Sequence, residues 1–459
     1  MIGCSRPIGR RAYMRNPLDV PEEQGRAAPE PSVPPGALDG VTLMRYAHIY
    51  RSRTSGGVEQ YLRHLNHGLL RRHRMTIVQT HLVRDAVECR LEWESVGVGG
   101  ILWAPMPIWR GDGVFADFPD RMKYIYDVAR AYPRGRNAPR AILESLRTLF
   151  RNRCCHLRYS TTILSDGLSD LIKEQSVSLL ALHWISRESR PLIHRALVLG
   201  IPFVFINHFD NARLSLPPTR KCISRAAGLA TVSDQGIPAD MRNSYVNLSD
   251  AVDTDFFRLE TVRSSGGPPD CVLLPARIQE GKGHQDLIQA ASILARRNVD
   301  LTLCFAGSVD SAPLNQDLRL AAGKLGTGRV RLLGEMCAEE MRDWYARSSV
   351  VALPSYSEGL PRVVLEAQAM KRPVVAYNGG GTGKALLPDE TGFLVEPGDV
   401  NGLAEKIGFL LGAESERGRM GERGREFVLR EFSIPALIRR HESFYLGALA
   451  GCRKAAERL

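Results

Sequence analysis

The stretch VVALPSYSEGLPRVVLEAQAMKRPVVAYNGGG, residues 350–381, decides how this chain folds. It opens on a short apolar run, 350–355, and passes a Ser-Glu-Gly-Leu-Pro turn. Pro361 then suits the first turn of a helix, because its missing N–H has no partner there anyway. A second apolar run, 373–378, follows the helical segment. Short strand, helix, short strand is the signature of a parallel β-α-β unit. Two carboxylates stand in it, Glu358 in the turn and Glu366 among Val363, Val364, Leu365 and Ala367. A carboxylate with apolar neighbours needs a partner, since a lone buried charge is expensive. On spacing alone two partners compete. One is Arg362, four residues earlier on the same helix face. The other is a ligand, since an ionised carboxylate accepts several hydrogen bonds from sugar hydroxyls.

The same alternation extends in both directions. Ahead of it lie strand-like runs at 271–277, 301–307 and 330–336, with HQDLIQAASILARR reading as a helix, and behind it a run at 392–397. Before residue 262 there are further runs at 41–50, 75–83, 178–184, 202–208 and 228–233. Residues 58–73 carry Val58, Tyr61, Leu62, Leu65 and Leu69 at helical spacing. Such short apolar runs bounded by turns read as buried parallel strands. The Gly- and Pro-rich loop VRSSGGPPD, 262–270, reads as a boundary. The expectation is an α/β chain of two doubly wound halves, 41–262 and 271–430, facing a cleft. A leader (1–40) precedes them, disordered by composition, and a terminal helical segment (431–459) follows. In open α/β sheets ligands bind at the carboxyl ends of the strands.

Length agrees, because 459 residues exceed one core and suggest two domains of roughly 200 residues each. No apolar run approaches the ~20 residues of a membrane span. The nine cysteines show no C-x2-C spacing, and only Cys154 and Cys155 adjoin, which argues against a zinc site or a disulfide framework and for a reducing cytoplasm. The net charge of +11 points to an anionic partner. Much of it lies in residues 121–158, where ten Lys or Arg face two acids. The segment from about 100 to 160 does not fit the strand–helix alternation and reads as a basic insertion. It is either a solvated face or a contact with an anionic membrane surface or acceptor. Nucleic acid is not expected, because no recognition motif accompanies the charge.

Several further residues are candidates. Gly56 and Gly57 lie between a strand and a helix, where glycine lets backbone approach a ligand. Arg277 and Lys282 follow a strand and precede a helix. A planar fork and a mobile point charge together suit a diphosphate, though two surface cations would look the same. His183 and His208 each end a short strand.

Taken in order, ARIQEGKGH (276–284), FAGS (305–308), PSYSEGLPRVVLEAQAM (354–370), NGGG (378–381) and TGFLVEPGD (391–399) resemble the family-four retaining glycosyltransferases of GT-B fold, the group 1, glycogen synthase-like enzymes. The resemblance runs from residue 41 to about 445 and is strongest over 271–411. The N-terminal half adds SGGVE (55–59), His208, VSD (232–234) and VDTDFF (252–257). It implies transfer of a sugar, hexosyl by expectation, from a nucleotide diphosphate sugar to an acceptor hydroxyl. The stereochemistry would be retained and no metal or other cofactor needed. It assigns donor diphosphate contacts to Arg277 and Lys282, and sugar and pyrophosphate contacts to Glu358 with Gly359, Leu360 and Pro361. The ribose falls to Glu366, close phosphate approach to Gly56 and Gly57, and a place beside the reacting sugar to His208. The terminal helix, 431–459, would cross back onto the first half, as the family's final helix does. The implied setting is glycan, lipid-linked saccharide or natural-product biosynthesis in the cytoplasm or at the inner membrane face. A phosphorylase or epimerase of the same fold is the alternative. Three departures from the family stand out: Ala276 for a glycine, Asp250-Ala251 for Asn-Gly, and Lys384 where a Glu is common.

Overall fold

A computed structural model describes residues 33–47, 57–83, 92–107, 170–183, 189–208, 217–232, 237–241, 245–262, 270–326 and 329–456, with 168, 214 and 268. The leader up to residue 32, Gly56, the pair Ser233 and Asp234, and the basic stretch 121–158 lie outside the described residues.

The apolar runs form two sheets. The first contains β1 (Thr42–Tyr46), β2 (Thr76–Val83), β3 (Glu92–Val96), β4 (Gly99–Pro107), β5 (Leu179–Leu182), β6 (Phe203–Asn207), β7 (Gly228–Thr231) and β8 (Val246–Asn247), in the order β3-β4-β2-β1-β5-β6-β7-β8. Its strand pairs are parallel except β3 with β4. The second contains β9 (Cys271–Pro275), β10 (Thr302–Ala306), β11 (Val330–Gly334), β12 (Val350–Leu353), β13 (Val374–Tyr377) and β14 (Gly392–Val395), in the order β11-β10-β9-β12-β13-β14, all parallel. Each sheet therefore reverses its winding once, between β1 and β5 and between β9 and β12. At such a switch point the two adjoining loops leave on opposite faces and open a crevice at the carboxyl edge. The chain is thus two doubly wound, Rossmann-like halves.

Among the described residues, helices with defined bounds are, in chain order, α1 (Gly57–Arg72), α2 (Ser189–Val198), α3 (Pro217–Ile223), α4 (His284–Arg296), α5 (Ala312–Leu325), α6 (Ala338–Arg347), α7 (Arg362–Ala369), α8 (Val400–Gly412), α9 (Glu414–Glu431) and α10 (Ile434–Ala456). The second sheet and its helices share one core. On the first sheet one face packs under Leu168, Leu171, Ile172, Leu192 and Ala196. The other packs under α1 together with Leu437, Ile438, Phe444, Tyr445 and Ala448 of α10. The last helix of the chain therefore covers the first sheet. Two chain crossings lie side by side, the Val252 N–H donating to the Phe432 carbonyl at 2.8 Å. Among the described residues no helix is long and apolar enough to cross a membrane.

Two segments depart from the sequence reading. Residues 33–40, expected to belong to a disordered leader, form turns that bury Leu38 and bond to the end of α1, the Gly36 N–H donating to the Arg72 carbonyl at 3.0 Å. Residues 99–107, expected to fall outside the alternation, form β4 and pair with β2 along eight positions. Glycines weaken a strand pattern, yet here they are required. A Cβ at Gly99 would lie 2.3 Å from the Met75 carbonyl oxygen, and one at Gly100 2.1 Å from the Trp93 ring. Close packing of Gly99 on Met75 and of Gly100 on Trp93, invisible in a periodicity, selects them.

Candidate functional site

The loops leaving β9 and β12 meet at the switch point of the second sheet. Lys282 stands on the first, between Gly281 and Gly283, whose φ angles of 82° and 71° are left-handed. A Cβ at Gly283 would lie 2.0 Å from the Pro354 carbonyl oxygen. The two loops are in backbone contact, with the Tyr356 N–H donating to the Gly281 carbonyl at 2.9 Å. This contact carries Lys282 to Glu358, whose Oε1 lies 2.8 Å from Nζ. Both side chains are largely shielded, 22% and 18% exposed, so the pair is not an ordinary surface ion pair.

The glycine run after β13 closes against the same turn. Gly381 donates to the Glu358 carbonyl at 2.8 Å, and a Cβ there would lie 1.5 Å from the Gly359 carbonyl oxygen. Behind the turn stands α7. Its N-cap is Pro361, which offers no side-chain cap. The first N–H groups of such a helix remain available to an anion. Val364, Leu365, Ala367 and Ala369 bury its inner face. The helix stops at Met370, where Lys371 turns left-handed (φ 56°), and Pro373 immediately precedes β13.

Glu366 is half-buried on α7. Its Oε2 accepts a hydrogen bond from the fully buried Tyr345 hydroxyl at 2.9 Å. Burial pushes its carboxyl upward, and the nearby Arg362 and the Tyr345 bond pull it back. Arg362, the intrahelical partner that spacing offered, reaches instead toward Asp250, with Nε 3.9 Å from Oδ2. Asp250 is one of the departures from the family pattern, and burial pushes its carboxyl up as well. Arg277 is the more exposed cation. Its Nη1 lies 2.7 Å from Asp310 Oδ2, and it is not brought to Glu358. Lys384 is exposed on the short turn Thr382–Lys384.

Sequence reasoning passed over Asp286. Its Oδ2 accepts from the hydroxyls of both Tyr356 and Tyr377 at 2.8 Å. It thereby ties the residue two before Glu358 to α4, the helix that follows Lys282. Tyr345 and Asp310 were missed as well. None belongs to a recognisable string, and each reaches the site from another element.

In the first half, Gly57 opens α1 just past the switch point. His183 and His208 end the adjacent strands β5 and β6, and the structure joins them, with His183 Nδ1 2.7 Å from His208 Nε2 and the rings stacked. Burial, reinforced by the Arg45 guanidinium, pushes His208 down to about 3. It is therefore a neutral imidazole near pH 7. Among the described residues no cluster of three His, Cys, Asp or Glu could hold a metal ion.

Known proteins resemble this chain in sequence and in fold. The family model described as glycosyl transferases group 1 matches residues 261–427. The D-inositol 3-phosphate glycosyltransferase of Pseudarthrobacter chlorophenolicus is 35% identical over 147 residues, covering 31% of this chain and 35% of that protein. The capsular polysaccharide biosynthesis glycosyltransferase CapM of Staphylococcus aureus is 30% identical over 169 residues, 37% and 44% of the two chains. The chain thus spans less than half the length of these relatives. Among solved structures, a glycosyltransferase from Rickettsia africae superposes with a TM-score of 0.60 at 16% identity, over 89% of this chain and 98% of that one. Anabaena HepE in complex with UDP and glucose gives 0.54 at 15%, over 88% and 98%. Both likenesses extend over the two halves and identify the fold as GT-B. The alpha-D-kanosaminyltransferase of Streptomyces kanamyceticus reaches further than the family model, 30% identical over 271 residues, which are 52% of this chain and 69% of that protein. A likeness over so much of a relative, on this fold and with this switch-point constellation, places the chain in the group 1 glycosyl transferases.

Proposed function

We propose that the protein transfers a sugar, hexosyl in our reading, from a nucleotide diphosphate sugar to an acceptor hydroxyl with retention at the anomeric carbon. The observation that carries this is the Lys282–Glu358 pair at the β9/β12 switch point, with the uncapped N-terminus of α7 behind it. Bond cleavage at the anomeric carbon leaves negative charge on the departing diphosphate. Oriented N–H groups and a shielded cation stabilise such charge best where water is excluded. Lys282, Arg277 and the Gly359–Pro361 turn supply those groups, and no metal is called for. Glu358 accepts hydroxyls of the sugar once the phosphate draws Lys282 toward itself. Glu366 takes the ribose, and Tyr345 holds its carboxylate from the other side. His208 faces the sugar from the first half.

Support from relatives is broad: their names are those of D-inositol 3-phosphate glycosyltransferases and of a capsular polysaccharide biosynthesis glycosyltransferase. The acceptor is accordingly a polyhydroxyl compound of glycan, lipid-linked saccharide or natural-product biosynthesis. HepE, the fold neighbour, binds UDP and glucose. The test is a thermal-shift panel of UDP, GDP, TDP and ADP with their sugars. A ligand that binds only the folded chain raises its midpoint, by about 2.7 kcal/mol of stability at a hundred times its Kd. One nucleotide series is expected to shift the midpoint, and its sugar further. If no member does so, the transferase reading falls.

A further inference from the structure

The face of the first sheet beneath α1 and α10 is largely apolar, and its buried polar residues include Gln79 of β2, in register with Arg45 of β1. Alternate residues of a strand share a face. β1 sets Arg45 beside Ala181 of β5, and β5 sets Ala181 beside Val204 of β6. His183 and His208 lie two and four residues further on, so all three polar side chains line this face, the histidines at its carboxyl edge. The helices cover it with Tyr61 from α1 and with His441 and Tyr445 from α10.

The hydrogen bonds fix an order among these side chains. A carbonyl oxygen only accepts, so His441 Nδ1, 2.9 Å from the Leu437 carbonyl, carries its proton. In the neutral ring Nε2 is then bare and accepts from the Tyr61 hydroxyl at 2.8 Å. The Tyr61 ring stands at 87° to the His208 ring with centroids 4.8 Å apart, a T-shaped contact that fixes the imidazole plane. His208 in turn meets His183 at 2.7 Å, which requires one N–H and one bare nitrogen, so the two rings cannot both be charged. Arg45 lies beneath, fully buried. Its Nη2 donates to the Tyr445 hydroxyl at 3.2 Å, while Nε and Nη1 have no hydrogen-bond partner. A buried cation with no carboxylate at hand repels a second positive charge, and it lowers His183, His208 and His441 alike.

We infer that Tyr61 of α1 and His441 of α10 are positioning residues for His208, so that the last helix of the chain orients the imidazole which the first half offers to the cleft. This rests on the reading of His208 as a group beside the reacting sugar.

The test compares Tyr61→Leu and His441→Leu with the parent protein in two measurements. One is an NMR pH titration of the histidine rings, His208 assigned by its own substitution. The other is turnover of whichever nucleotide sugar gives the largest thermal shift. The His208 midpoint is expected to rise by about one pH unit or more, because loosening the ring admits water. Turnover is expected to fall about tenfold at little-changed KM for the donor, which the second half holds. In the His208→Ala background the same substitutions are expected to cost nothing further. Tyr61→Phe keeps the ring and the packing. Should the leucine variants not fold, it must move the titration in the same direction. A His208→Ala enzyme with full turnover would sink the reading of His208 itself. An impaired His208→Ala enzyme beside folded variants with parental titration and turnover would overturn only the positioning role.

Discussion

At the scale of single residues, the two glutamates of the 350–381 stretch have different partners and so different expected losses. Glu366 is the acceptor for a fully buried tyrosine hydroxyl. Glu366→Ala leaves that hydroxyl without a partner, which costs about 1–3 kcal/mol of stability. If Glu366 takes the ribose as proposed, the variant also loses those hydrogen bonds, and nucleotide affinity is expected to fall about 10- to 100-fold. Urea denaturation and calorimetric titration read the two effects separately. Glu358 instead faces Lys282, at 2.8 Å. Glu358→Ala is expected to spare nucleotide binding and lower turnover, also about 10- to 100-fold. Two variants that behave identically would contradict this division. The residues themselves were legible in the sequence, because a carboxylate in an apolar helix asks for a partner. The identity of that partner was not. Spacing offered Arg362 four residues away, whereas the hydrogen bond comes from Tyr345 on another helix.

At the scale of elements, α10 is fastened to α1 along its length. The buried Glu442 carboxylate accepts from Arg72 Nε at 2.6 Å and from His73 Nε2 at 2.8 Å, while His441 holds Tyr61. Between these anchors the helices touch closely at Gly68. A Cβ added there would stand 2.0 Å from Ile438 Cδ1. Helix propensity alone makes Gly68→Ala favourable by about 1 kcal/mol. Overpacking costs about 1–3 kcal/mol, and packing is expected to win, so the variant unfolds at lower urea. Ile438→Val removes the clashing methyl and should return part of the loss in the double variant. A Gly68→Ala protein more stable than its parent would show that the two helices are not in this contact. The helical pattern of α1 could be read from spacing, and the family resemblance implied a terminal helix crossing back onto the first half. The residues that meet could not be read, since the two segments are separated by most of the chain.

At the scale of the whole molecule, the halves carry buried histidines that remain neutral. His208 is pushed down to about 3 and His284 to about 4, and burial holds His183 and His441 low as well. In the unfolded chain each takes up a proton below about 6.5. Stability tied to them is therefore complete above that pH and is lost as the pH falls toward the folded values. Glu366 and Asp250, raised by burial, act in the opposite direction over part of this range. The histidines outnumber them, and a net uptake of protons on unfolding is expected as the pH falls below about 6.5. Urea midpoints measured from pH 7.5 to 5 should fall steadily, and a flat profile would refute neutral burial of these rings.

The sequence by itself determined the alternation of short apolar strands with helices, and with it two doubly wound halves and a site at strand ends. It also marked Lys282, Glu358 and Glu366, because glycines, turn residues and a misplaced carboxylate are local signals. Only the tertiary structure decided which groups meet. Lys282 reaches Glu358 across 76 positions, and Tyr61 reaches His441 across 380. It also drew Gly99 and Gly100 into a strand that periodicity left out. Hydrophobic patterning reports which face of an element is buried, while the partner on that face is set by sheet order and helix packing, which no local window contains.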